Sequence, residues 1–133
     1  MIDHVETVVL DSKGLSAWIT HDRKLLAMLH VFATMGAELV ISANTIVEVT
    51  HTRVNRPRLQ WVLSCVKVEP VTERAAKASA DLLRTVGVHG HKYAIDATVA
   101  EMALRQPGPV AMLTSDIDDM ARLCGRHVRL ISI

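Results

Sequence analysis

Val5-Glu-Thr-Val-Val-Leu10 runs straight into Asp11-Ser-Lys-Gly14, and the fold turns on how this junction is read. Its apolar residues lack the three-and-four spacing of a helix and stop at once at a polar, glycine-containing turn. The segment therefore reads as a strand buried on both faces, the kind found inside parallel sheets. Val110-Ala-Met-Leu-Thr114 repeats the pattern and is followed, after Ser115, by Asp116. Two buried strands, each ending in an aspartate, set the frame for the rest of the chain.

Working outward, Leu15 to Ile19 and Lys24 to Met35 carry apolar residues at helical spacing, with Leu25, Leu29 and Phe32 on one stripe and Gly36 as the stop. Glu38 to Ser42 reads as a second strand, joined without a gap to a helical stretch from Asn44 to Thr52. The basic segment Arg53 to Arg58 contains Pro57, which a helix accepts in its first turn, so a helix over Leu59 to Cys65 follows. Val66 to Pro70 alternates like a short edge strand. Thr72 caps a helix that runs to about Thr85 and ends at Gly87. Gly87 to Lys92 reads as a loop, Tyr93 to Arg105 as a helix, and Gln106 to Pro109 as a breaker. A helix over Asp116 to Cys124 and a strand over Val128 to Ile133 complete the chain. Such alternation predicts a three-layer α/β/α domain around a central, mostly parallel sheet of four to five strands, because parallel neighbours need crossover connections.

The chain has 133 residues, enough for one domain spanning 1–133. Half of its residues are apolar, yet only two Trp, one Tyr and one Phe are aromatic, so the core must be aliphatic. Cys65 and Cys124 lie far apart and outside any zinc-ribbon or redox spacing; they read as free thiols. No run approaches the ~18 apolar residues of a membrane span, and the first residues carry acids where a signal peptide carries bases. The expected setting is the cytoplasm, with no membrane. A formal charge of +1 excludes a globally basic nucleic-acid binder, so any such contact must rest on a local cluster.

In open α/β sheets, ligands bind beyond the carboxyl ends of the strands. Asp11 and Asp116 stand there, although each also suits a helix cap, and Ser115 with Asp118 matches a capping box. Asp96 is harder to place, because Tyr93 to Ala100 is apolar nearly all round and Asp is a poor residue inside a helix. A buried carboxylate needs a partner. Lys92 one turn earlier is one choice, and a metal ion is the other. Glu48 is the only charge in Ser42 to Thr50, with a capping box from Thr45 as its alternative reading. Four carboxylates in one pocket repel by about 4 kcal/mol per close pair, at ~4 Å and an effective dielectric near 20. Such a cluster calls for divalent cations, and its hard oxygens suit magnesium or manganese rather than zinc. His89-Gly-His91 is the one close histidine pair and lacks a third ligand. Lys13, Arg53, Arg56, Arg58, His89, His91 and Lys92 lie near the expected crevice, where cations can track a phosphate backbone.

The ordered set Leu10-Asp11-Ser12, Glu48 in a helix, Ala94-Ile-Asp96-Ala-Thr98, and Leu113-Thr-Ser-Asp116-Ile-Asp118-Asp119 resembles the PIN domain. It is most similar to the toxin subunit of VapBC-type toxin–antitoxin pairs, and the resemblance covers essentially the whole chain. What it implies is a PIN-like fold and metal-dependent endonucleolytic cleavage of RNA. Asp11, Glu48, Asp96 and Asp116 would be the catalytic, metal-binding carboxylates. Asp118 or Asp119 would be an auxiliary acid, and Ser12, Thr114 and Ser115 would support the site. The cofactor implied is Mg2+ or Mn2+. The partners implied are an RNA substrate, a second copy of the chain in a homodimer, and a VapB-type antitoxin whose basic segment enters the acidic groove. The first acid follows a longer lead-in than is usual for the family. Two rival readings stand beside this one. The first is a PIN-like module without catalysis that binds RNA or protein. The second is a phosphotransfer domain, which Asp11-Ser12-Lys13 fits poorly because it lacks Asp-x-Asp and no glycine-rich phosphate loop accompanies it.

Overall fold

In a computed structural model that describes residues 4–133, the predicted alternation is realised. The elements are β1 (Thr7–Leu10), α1 (Ser12–Ile19), α2 (Arg23–Thr34), β2 (Glu38–Ser42), α3 (Ala43–Val49) and α4 (Arg56–Ser64). They continue as β3 (Lys67–Glu69), α5 (Glu73–Val86), α6 (Gly90–Leu104), β4 (Val110–Thr114), α7 (Ile117–Cys124) and β5 (Arg129–Ser132). The five strands form one sheet in the order β3-β2-β1-β4-β5, and every pairing is parallel. The sheet is thus wholly parallel where the sequence predicts a mostly parallel one.

The two stretches read as doubly buried strands, β1 and β4, are buried along their full length and lie side by side, with Thr7 opposite Val110 and Leu10 opposite Leu113. Although their residues are almost all apolar, successive side chains still go to opposite faces. Val8, Leu10, Ile41, Ala111 and Leu113 meet Leu15 and Trp18 of α1, Leu25 and Phe32 of α2, and Leu59 and Val62 of α4. Val9, Val40, Val110 and Met112 meet Val99, Ala100 and Ala103 of α6 and Met120 and Leu123 of α7, with α5 packed outside α6. Fully burying each Val, Leu or Met in these layers contributes about 1.5–3 kcal/mol.

Helix boundaries differ from expectation at two places that bear on the site. α6 begins at Gly90, so His91 and Lys92 belong to its first turn and not to a loop. Gly87, at φ +73°, already closes α5 by donating to Leu83 O at 2.9 Å, which leaves a short linker enough to start the next helix. α3 ends at Val49 rather than Thr52, because Thr50 turns extended and its hydroxyl takes the Ile46 carbonyl at 2.7 Å. Pro57 sits in the first turn of α4 as expected, behind Asn55, whose side chain caps the Arg58 amide. Among the described residues no helix is long and apolar enough to cross a membrane.

From β1 the chain moves outward to β2 and β3, then returns across the sheet to β4 and β5. The order therefore reverses between β1 and β4. A crevice opens at the carboxyl ends of two such strands, because their crossovers leave in opposite directions.

Candidate functional site

Asp11 closes β1 at that crevice and is 4% exposed. Its backbone is extended and its Oδ1 accepts from the Gly14 amide at 2.9 Å, so it does cap α1. The turn is tight: a Cβ on Gly14 would lie 3.2 Å from both Leu10 Cδ2 and the Leu113 carbonyl. Burial pushes the Asp11 carboxyl above its ordinary 3.8 against the pull of hydrogen bonds from Thr114 and Gly14, and nearby Asp116 adds to the rise.

Asp116 also stands in an N-cap position, that of α7, but its side chain makes no capping bond. Its amide instead donates to the buried Thr114 hydroxyl at 2.9 Å. The carboxylate is left exposed and uncommitted. The capping reading thus holds for Asp11 and fails for Asp116.

Asp96, in the second turn of α6, is half-buried. Its carboxyl is pushed up to about 6, first by burial and then by the negative charges of Asp116, Glu48, Asp119 and Asp11. Among the described residues Asp96 joins no ion pair. Lys92, the expected ion-pair partner one turn away, instead holds its amine 5.2 Å from the centre of the Tyr93 ring. Glu48 is exposed on α3, and the capping box proposed for it is absent: Ser42 caps that helix, and the Thr45 hydroxyl is buried without a hydrogen bond.

Four acids from three other stretches thus act on Asp96. Of the two candidate auxiliary acids, Asp119 is half-buried and among the charges that raise Asp96, whereas Asp118 is exposed. The α7 acids border a cavity of about 310 Å3 with Ser115 and Asp116. The carboxylates are not drawn into a closed shell: among the described residues no three His, Cys, Asp or Glu side chains are gathered tightly enough to coordinate one ion. The donor set still fits Mg2+ or Mn2+, since such ions take oxygen donors and bind through one or two carboxylates while keeping several waters.

One positioning contact lies outside the sequence reading. Asn44 Nδ2, in the first turn of α3, donates to Thr98 Oγ1 of α6 at 3.2 Å, and Thr98 donates to the Ile95 carbonyl at 2.7 Å. This ties the helix carrying Glu48 to the helix carrying Asp96. Its only sequence signal is Thr98 as a second polar residue in the apolar Tyr93 to Ala100 run. Ser12 opens α1 half-buried, and Ser115 is exposed. Lys13, Arg53, Arg56 and Lys92 are all exposed, Arg53 in the loop that leaves α3 just after Glu48. Arg58 is occupied differently, stacked 4.5 Å over Trp61 and reaching the Trp18 carbonyl at 3.4 Å.

No family model and no curated protein matches the chain. Solved structures do. A chain of VapBC2 from Rickettsia felis, crystallised bound to a DNA fragment from their promoter, aligns with a TM-score of 0.69 at 16% identity, over 96% of this chain and 98% of that one. A chain of a toxin–antitoxin complex from Klebsiella pneumoniae aligns with a TM-score of 0.68 at 18% identity, over 91% of this chain and 94% of that one. The likeness is one of fold, and that fold is the PIN-like arrangement the sequence predicts.

Proposed function

We propose that this chain is a single-domain, divalent-metal-dependent endoribonuclease and the toxin member of a type II toxin–antitoxin pair of the VapBC kind, acting in the cytoplasm. What supports the reading is that the charges of Asp11, Glu48, Asp116 and Asp119 all push up the half-buried carboxyl of Asp96. A fold maintained only for stability has no reason to collect unpaired acids at a strand-order reversal. The fold shared with chains of two toxin–antitoxin complexes supports the biological setting.

Asp11, Glu48, Asp96 and Asp116 would hold Mg2+ or Mn2+, with Asp119 as the auxiliary acid. When bound, such an ion lowers the pKa of water and offsets charge on the phosphoryl oxygens. The chain's own groups have distinct tasks. The Gly14 amide fixes one Asp11 oxygen, and Thr114 orients both Asp11 and the Asp116 backbone. Asp116 keeps its carboxylate free, while Asn44 and Thr98 keep α3 and α6 in register. Lys13, Arg53, Arg56 and Lys92 supply the cations that offset repulsion between the acids and an incoming phosphodiester. A basic segment of a VapB-type antitoxin would compete for the same acids, and a homodimer is the expected assembly.

The test is incubation of the purified chain with total RNA in magnesium, manganese or chelator, beside Asp116→Asn. Cleavage with either metal, lost in chelator and reduced by at least two orders of magnitude in the variant, is the expected result. Equal cleavage by the variant would overturn the assignment of the site. RNA binding with no cleavage under any condition would favour a non-catalytic module.

A further inference from the structure

Beside the acids lies a second cavity, of about 370 Å3, lined by Lys13, Ala17, Asp22, Lys24, Leu25, Ser115 and Ile133. That volume falls within the range of small-ligand pockets, roughly 300–1,000 Å3. Ser115 lines both this cavity and the one formed by Asp116, Asp118 and Asp119. Lys13 lies just beyond Asp11 in the first turn of α1. The two cavities are therefore neighbours with opposite charge.

The lysines are not spent on internal contacts. Neither joins an ion pair among the described residues, whereas Lys67 pairs with Glu69 and Lys77 with Glu73. The one carboxylate among the lining groups, Asp22, caps α2 through the Leu25 amide at 2.9 Å and leaves the lining net positive by one charge. Two lysines outside any ion pair among the described residues thus share a lining with the aliphatic side chains of Ala17, Leu25 and Ile133. The combination suits a ligand with an anionic group at one end and a flat, weakly polar body at the other, as in a nucleotide unit.

Resting on the proposed ribonuclease reading, we infer that this cavity is a nucleotide subsite: Lys13 and Lys24 hold the phosphate next to the one cut at the acids, and the aliphatic walls seat its nucleoside. The acids alone repel a polyanionic strand, so a neighbouring cationic pocket sets where along the strand the cut falls. Lys24 is the diagnostic residue. It lies on α2, which carries none of the acids of the site, and an ammonium group has no role in holding metal.

The test measures binding of a short fluorescein-labelled single-stranded RNA of mixed sequence by anisotropy, in chelator, across a salt series. Loss of one phosphate contact on a single strand lowers the salt slope by about 0.7, which at ~0.15 M salt is about a fourfold weaker affinity. Lys24→Gln should show both changes. Ala17→Met, which fills the cavity without altering charge, should weaken binding with the slope unchanged. Lys77→Gln on α5 serves as the surface-charge control, and thermal melts check that each variant is folded. If either Lys24→Gln or Ala17→Met binds like Lys77→Gln, while the unaltered chain binds and cuts RNA, the subsite is refuted and the ribonuclease reading stands. If the unaltered chain neither binds nor cuts RNA, the reading beneath it fails and takes the subsite with it.

Discussion

Replacing Asp96 by Asn should make the metal-free protein more stable at neutral and alkaline pH. The carboxyl titrates near 6 in the fold and near 3.8 when the chain is unfolded. Above pH 6 it is therefore held charged at a cost, and the sign follows directly. The fold gains stability as pH falls from 6 toward 3.8 and loses it as pH rises through 6. At full strength the difference corresponds to roughly 3 kcal/mol. Asp96 is only half-buried, so solvent screening reduces the expected gain to about 1–1.5 kcal/mol, or roughly 3–6 °C in Tm for a chain of this size. The assay is urea or thermal unfolding in chelator from pH 8 down to pH 5. It should stop there because Glu69 begins to interfere: burial works against its charge, but Lys67 at 3.1 Å and Arg105 at 3.3 Å hold it below its ordinary 4.5. The unaltered chain should stabilise as the pH is lowered over this range, and Asp96→Asn should respond much less. Added Mg2+ should then raise the Tm of the unaltered chain and have little effect on the variant. If Asp96→Asn proves less stable than the parent at pH 8 in chelator, Asp96 is a structural partner and the idea of an electrostatically strained site is wrong.

Gly14→Ala should destabilise the fold by about 1–3 kcal/mol in urea unfolding, because the new methyl meets both Leu10 and the rigid Leu113 carbonyl at 3.2 Å. It should also cut RNA cleavage more than the stability loss explains, since the same amide positions Asp11. Asn44→Ala should cost only about 1 kcal/mol of stability while weakening metal-dependent cleavage, and retention of full activity would remove the Asn44–Thr98 contact from the site. A thiol reagent at pH 8 should label Cys65, which is exposed, and spare Cys124, which is 2% exposed and whose thiol burial pushes up to about 11. Denaturation should release the second thiol. Fast labelling of both in the native state would contradict the packing of α7.

The fold was legible wherever burial alone dictates the pattern. β2 and β4 fall where their apolar runs place them, and the short alternating segment before Pro70 is indeed the sheet edge. Legibility failed where a choice depends on tertiary contact. Lys92 and Asp96 have the spacing of an intrahelical pair, yet the amine lies over Tyr93, a choice that periodicity cannot show. The Thr45 and Glu48 spacing matches a capping box, but the helix starts earlier, at Ala43 behind the Ser42 cap, and leaves both side chains out of that cap. Asp118 and Asp119 are equivalent as letters. Only the packing of α7 leaves Asp119 half-buried, where its charge acts on Asp96, and Asp118 exposed.

The acids themselves show why the site was easier to suspect than to derive. Asp11 serves two ends at once, capping α1 and facing the crevice, so its presence alone decides nothing. Asp116 occupies an equivalent position and declines the equivalent bond, forgoing about 1 kcal/mol that an N-cap side chain ordinarily contributes. Asp96 sits inside a helix whose propensity it lowers and is surrounded by charges of its own sign. Two neighbouring residues thus adopt arrangements that neither capping, propensity nor ion pairing repays. Both are costs that a bound cation, as proposed for this crevice, would turn into a gain.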